Sequence, residues 1–175
     1  MNIISIDPSK LKTGVFTRID KIESSFVIKN KTGSTIGETL IKIYSEFSKI
    51  LDAGVYDFGM VENPRHSSFA MYMFEIIGVI KLAFAEHGIP IIPVYVQTWK
   101  TLTMKGVNKK ENAAVYLKIV KKKYDREFKT TDEADAFLIY QAVKIIAKKT
   151  NSLTKGMKKI KDQLSKIIEE YKNAK

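Results

Sequence analysis

Four carboxylates hold the positions from which chemistry could be done: Asp7, Glu62, Asp132 and Asp135. Asp7 ends the apolar run Asn2-Ile3-Ile4-Ser5-Ile6, and Pro8 forbids that strand from continuing. Glu62 ends a second apolar run, Val55–Val61, which Asn63-Pro64 breaks in the same way. Asp132 and Asp135 stand three apart, on one face of the first turns of an expected helix. If the two strands are parallel neighbours, both of their acids emerge at one end of a sheet, and the helix start needs only to pack beside that end. Hard oxygen donors gathered like this repel one another and are stable together when divalent cations lie between them. An oxygen-only set favours Mg²⁺ or Mn²⁺ over Zn²⁺. Two such ions, about 4 Å apart, can activate a water and stabilise the leaving oxygen of a phosphodiester.

Each acid also has a plainer account. Asp followed by Pro after a strand is ordinary turn chemistry. Acids in a first helical turn are favoured by the helix dipole, which accounts for Asp132 and Glu133 without any metal. Asp135 fits that account less well, lying among Ala134, Ala136, Phe137 and Leu138, and Glu62 is the charge that closes an otherwise apolar strand. On the residues alone, a metal-dependent phosphodiester cutter and a set of structural acids both stand.

The elements that must position these residues follow from periodicity and punctuation. Met1–Ile6, Thr13–Ile19 and Ser24–Ile28 read as an antiparallel meander. Thr35-Ile36-Gly37-Glu38 has capping-box spacing and opens a helix with the stripe Ile36, Leu40, Ile43, Tyr44, Phe47, Ile50 and Leu51. After the strand at 55–62, a helix is expected from Ser67 to His87. It is apolar on nearly every side, so the sheet and a second subunit are its expected covers. Glu75 and Lys81 within it argue against a membrane span. Ile89–Val96 reads as a strand that Pro90 and Pro93 push towards an edge. Gln97–Val107 reads as a polar, basic connection. A helix with a capping arrangement at Asn108–Glu111 then runs to Tyr124, and Thr130-Thr131-Asp132-Glu133 opens another to about Lys148. Leu153, Met157, Ile160, Leu164, Ile167, Ile168 and Tyr171 mark a last amphipathic helix. The alternation argues for one α/β layered domain.

The chain's 175 residues carry a net charge of +11 that is placed entirely in one half. Residues 1–96 hold ten basic and ten acidic side chains; residues 97–175 hold twenty and nine. Such asymmetry points to a polyanion, nucleic acid first and an acidic membrane surface second. There are no cysteines, which excludes disulfides, thiolate metal sites and Cys nucleophiles and is compatible with a reducing compartment. No basic-then-apolar leader opens the sequence, so a cytoplasmic location is expected. The segment Gly33–Thr39 lacks the lysine of a phosphate-binding P-loop.

The ordered set of motifs resembles RuvC-type Holliday junction resolvases. Ile4-Ser5-Ile6-Asp7-Pro8-Ser9 with Thr13-Gly14-Val15 is similar to the opening motif of that family. Val61-Glu62, an apolar helix, a strand, a Lys-bearing loop and Asp132-Glu133-Ala134-Asp135-Ala136 follow in the family's order, over about residues 1–147. The resemblance implies an RNase H-like α/β fold: a mixed sheet with an antiparallel three-strand start and helices on both faces. It divides the chain into a nuclease domain, 1–150, and a basic amphipathic C-terminal helix, 151–175. It also implies a Mg²⁺-dependent homodimer that nicks four-way and other branched DNA, with two Mg²⁺ ions, replaceable by Mn²⁺, on Asp7, Glu62, Asp132 and Asp135. Lys100 and Lys110 fall closest to the family's two functional lysines, and Arg65, Lys105, Lys109 and Lys118 join them as expected DNA contacts.

The sequence departs from that pattern in places. Ser9 stands where the family has Gly, one glycine of the basic loop is missing, and the aromatic that follows the Glu falls near Arg65, with Phe69 or Tyr72 as substitutes. Such departures would suit a phage or viral branch. They leave two alternatives beside a junction nuclease: a non-cleaving branched-DNA binder and an RNase H-like nuclease acting on RNA–DNA hybrid.

Overall fold

The computed structural model of the chain describes residues 1–64, 71–105 and 112–173, apart from the side chain of residue 171. Five strands form one sheet in the order β3-β2-β1-β4-β5: β1 Ile3–Asp7, β2 Lys12–Ile19, β3 Ile22–Lys29, β4 Phe58–Asn63 and β5 Ile91–Tyr95. The first three strands are antiparallel, whereas β1–β4 and β4–β5 are parallel. The expected mixed sheet is therefore present, and β5, which contains Pro93, lies at its edge. Six helices complete the fold: α1 Ile36–Ala53, α2 Met71–Glu86, α3 Val96–Thr103, α4 Ala113–Tyr124, α5 Thr131–Lys148 and α6 Lys155–Asn173.

Alternation along the strands sorts the core into two layers. Ile4 and Ile6 of β1, Val15 of β2 and Val61 of β4 face α1 and α2, where they meet Ile43, Phe47, Ile76, Ile80 and Phe84. Ile3, Phe16, Phe58 and Met60 face α5 and the helices around it. The same parity assigns Asp7 and Glu62 to the α5 face.

Local signals explain most element boundaries. Thr35 and Glu38 form a complete capping box at α1. At α5 the Thr130 hydroxyl accepts from the Glu133 N–H, but the Glu133 carboxylate reaches one residue further back, to the Lys129 N–H. Ser9 closes the β1–β2 turn: its hydroxyl accepts from the Lys12 N–H and its carbonyl from the Thr13 hydroxyl.

Two expectations change. The strand predicted from Val55 begins at Phe58, opposite Ile3, where its partner β1 begins; just before it Asp57 and Asn2 are joined by their N–H, carbonyl and carboxylate groups. Besides the sheet, α1 packs beside α2 on the same face and covers part of its apolar surface, while Met71 and Leu82 stay exposed. Residues 97–103, expected as a connection, are helical; Trp99 and Thr103 form a buried stripe and the polar residues between them face outward. The capping arrangement expected at 108–111 lies outside the described residues, and Asn112 caps α4 by accepting from the Val115 N–H. Met157, Ile160, Leu164 and Ile167 of α6 join the α5-side core.

Gly14 decides how closely α5 approaches the sheet. A Cβ there would lie 2.0 Å from the Asp132 carbonyl oxygen, so only glycine permits the helix start to sit on β2. Gly14→Ala should destabilise the fold by about 1–3 kcal/mol, read as a drop of several degrees in melting temperature. Gly37→Ala, where a Cβ meets nothing within 4 Å, should cause no loss.

Candidate active site

Asp7 and Glu62 come together because β1 and β4 are parallel and in register. Ser5 pairs with Met60 and Ile6 with Val61, so one further step brings Asp7 beside Glu62. On the other side Asp7 pairs with Gly14. That glycine receives the first turn of α5, so Asp132 enters the same neighbourhood. The Ser5 hydroxyl donates to the Ala136 carbonyl at 2.7 Å and ties the next turn of α5 to β1. Asp135 lies between these two anchors. Sheet register and helix docking thus gather the four acids from three distant segments.

Their electrostatics confirm the proximity. Burial raises the Asp7 carboxyl well above the usual carboxylate range, and Glu62, Asp135 and Asp132 raise it further; Lys100 opposes them. Glu62 is raised by burial, against the Trp99 N–H and Lys100. Asp135 is raised to about 6 by burial, while its bond from Tyr116 and the charge of Lys100 pull the other way. Lys100, exposed on α3, is thus the cation shared by the cluster.

Among the described residues two neutral donors reach these acids, and neither is among the site residues expected from sequence. The Trp99 indole N–H donates to Glu62 Oε2 at 2.7 Å. The Tyr116 hydroxyl donates to Asp135 Oδ1, and burial and the Asp135 charge push its own ionisation far up. The signals in the sequence were slight. Trp99 is the only tryptophan and directly precedes Lys100, and Tyr116 lies four residues before the buried Val120.

Of the expected DNA contacts, Lys105 and Lys118 are exposed. Arg65, Lys109 and Lys110 lie outside the described residues, as does Phe69. Tyr72 is half-buried on α2 beneath the Lys10 ammonium, 4.6 Å from its ring centroid.

In kind, the donor set fits a hard divalent cation, being all oxygen, crowded and mutually repelling. In placement, no three acidic or histidine side chains among the described residues close around a single point. One oxygen of Glu62 and one of Asp135 are instead engaged by Trp99 and Tyr116.

The raised carboxyls have a consequence for stability. Below pH 4 the folded and unfolded chains both hold these protons, and no penalty arises. As pH rises towards 6, the unfolded chain loses its protons first, so stability falls through that window and the loss is complete above the folded values. For Asp135 the shift from 3.8 to about 6 corresponds to at most roughly 3 kcal/mol. In metal-free buffer, Asp135→Asn should therefore melt a few degrees above the wild type at pH 8, with the gap closing near pH 4.

No family model matches the sequence, and no curated protein matches it. Solved structures do. A Thermus thermophilus RuvC in complex with Holliday junction substrate superposes with a TM-score of 0.67 at 17% identity, covering 84% of this chain and 94% of that one. A second Thermus thermophilus RuvC structure gives 0.65 at 16% identity, covering 84% and 95%. At such identity the likeness is one of architecture, and the chain has the RuvC-type, RNase H-like fold.

Proposed function

We propose that this protein is a divalent-metal-dependent endonuclease that resolves four-way DNA junctions, and other branched DNA, by paired nicks. The observation that carries the reading is the convergence of Asp7, Glu62, Asp132 and Asp135, with Lys100 beside them, on a RuvC-type fold. A purely structural role for the acids explains it poorly, because burying like charges together works against the fold.

Asp7, Glu62, Asp132 and Asp135 would hold the ions, Asp7 being the acid that feels the other three most strongly. Mg²⁺ or Mn²⁺ held there would supply the charge that ionises a water and stabilises the departing oxygen. In-line attack by that water on phosphorus would break the P–O3′ bond and leave a 5′-phosphate; the water's proton would pass to solvent, and the departing 3′-oxygen would take one from it to become the 3′-hydroxyl. Lys100 is the side chain suited to neutralise a non-bridging oxygen of the scissile phosphate. Lys105, Lys109, Lys110, Lys118 and Arg65 would hold flanking phosphates, so affinity should fall steeply with added salt.

A homodimer suits this substrate, since two equivalent sites related by a two-fold axis can make paired nicks. Exposed positions of α2 supply a surface for it. Met71, Glu75, Gly78, Leu82 and Ala85 recur at alternating spacings of four and three, with Met71 70% and Leu82 52% exposed. A Cβ at Gly78 would meet nothing within 4 Å, which leaves room for a close helix approach.

Purified protein should nick a synthetic four-way junction with Mg²⁺ and not with EDTA. Asp7→Asn and Glu62→Gln should bind the junction yet cut it more slowly by on the order of 10²-fold or more. Full cleavage by Glu62→Gln would remove that residue from the site. Preferential cutting of RNA–DNA hybrid would reassign the substrate, and tight junction binding without cleavage in Mg²⁺ or Mn²⁺ would leave a binder only. Leu82→Arg should convert a dimer, measured by sedimentation, to a monomer with little change in melting temperature.

A further inference from the structure

The geometry points to Trp99 as a positioning residue that sets both an acid and a base of the site, holding Glu62 with its N–H edge and Lys100 with its ring face. The inference rests on the nuclease reading and adds a residue to it. Trp99 is fully buried, yet its one polar atom reaches the Glu62 carboxylate at 2.7 Å. A buried indole N–H needs an acceptor, and in most cores a carbonyl serves. Here the acceptor is an acid of the candidate site. On the same ring, the Lys100 ammonium lies 4.9 Å from the centroid. An aromatic ring is electropositive at its edge and electronegative on its face, so one side chain satisfies a carboxylate and an ammonium at once.

The support beneath Trp99 is rigid. The Thr103 hydroxyl donates to the Trp99 carbonyl at 2.7 Å. The Thr103 carbonyl in turn accepts from the Lys123 ammonium at 2.7 Å and the Tyr124 hydroxyl at 3.2 Å, which fastens α3 to the end of α4. With Oε2 held by the indole, Glu62 keeps Oε1 for a cation. A neutral donor orients the carboxylate without cancelling its charge, as a lysine in that place would.

The test uses the whole protein and a junction substrate. Because the chain has a single tryptophan, its spectrum contains one indole N–H resonance. In wild-type protein titrated with Mg²⁺, that resonance should move with the same midpoint as the calorimetric binding curve. Trp99→Phe should bind Mg²⁺ about 10-fold more weakly and nick about 10- to 100-fold more slowly at fixed Mg²⁺, with part of the rate recovered at higher Mg²⁺. Junction binding in EDTA should be unchanged. A folded Trp99→Phe with wild-type Mg²⁺ affinity and nicking would overturn the role of Trp99 while leaving the nuclease reading intact. If that variant does not fold, the wild-type titration decides, and an indole resonance unmoved through saturable Mg²⁺ binding overturns the role. Wild-type protein that neither binds Mg²⁺ nor nicks overturns the nuclease reading, and this inference with it.

Discussion

The docking of the first turn of α5 onto the β1–β2 ladder is the constraint on which the rest of the site depends. Asp132 and Asp135 are more than a hundred residues from Asp7, and nothing local holds them near it. Gly14 removes the one side chain that would keep the helix away, and the Ser5 hydroxyl anchors the Ala136 carbonyl one turn later. Phe16 adds an apolar clamp by stacking on Tyr140 and meeting Phe137 edge-on. A backbone approach this close is a discrete arrangement, because the strand residue opposite the helix either has a Cβ or lacks one. The sheet fixes Asp7 and Glu62 by register, and α5 fixes the other two by contact with that same register.

Once gathered, the acids work against the fold that gathers them. Their carboxyls are raised by burial and by one another. The structure offsets part of this with neutral hydrogen-bond donors, Trp99 and Tyr116, and with the exposed ammonium of Lys100. That choice matters chemically. A basic side chain paired with each acid would cost its own desolvation and leave no negative charge for a cation, whereas neutral donors hold geometry and preserve it. The stabilising burden then falls on the two apolar layers either side of the sheet.

Much of this architecture was legible in the chain because its signals are local. Pro8 and Pro64 mark where strands stop, Thr35/Glu38 and Thr130/Glu133 mark where helices start, and the acids sit at those punctuation points. The parts that stayed hidden depend on tertiary contact. Helix α3 carries Gln97, Thr98, Lys100 and Thr101 around Trp99, a composition that reads as a loop until the site of burial of Trp99 is known. Tyr116 reads as one aromatic on a helix; only the packing of α4 beside α5 shows that its hydroxyl reaches Asp135. Nothing near Gly14 in the chain explains it, since what requires a glycine there is a helix that begins at residue 131.

The charge asymmetry along the chain becomes an asymmetry between faces. The neutral first half supplies the strands and the α1–α2 layer, and the basic second half supplies α3, α4, α5 and α6 on the opposite face. Strand parity aims Asp7 and Glu62 into that basic layer, so the acidic cluster is set on the basic side of the molecule. For a polyanion this arrangement separates two tasks. The surrounding lysines give long-range attraction, which falls off with salt and carries no geometry. A carboxylate cluster repels phosphate unless cations intervene, so on the proposed reading it would admit the backbone only where metal charge compensates. Attraction and chemistry would then fall to different residues, and the exposed face of α2 would serve contact between proteins.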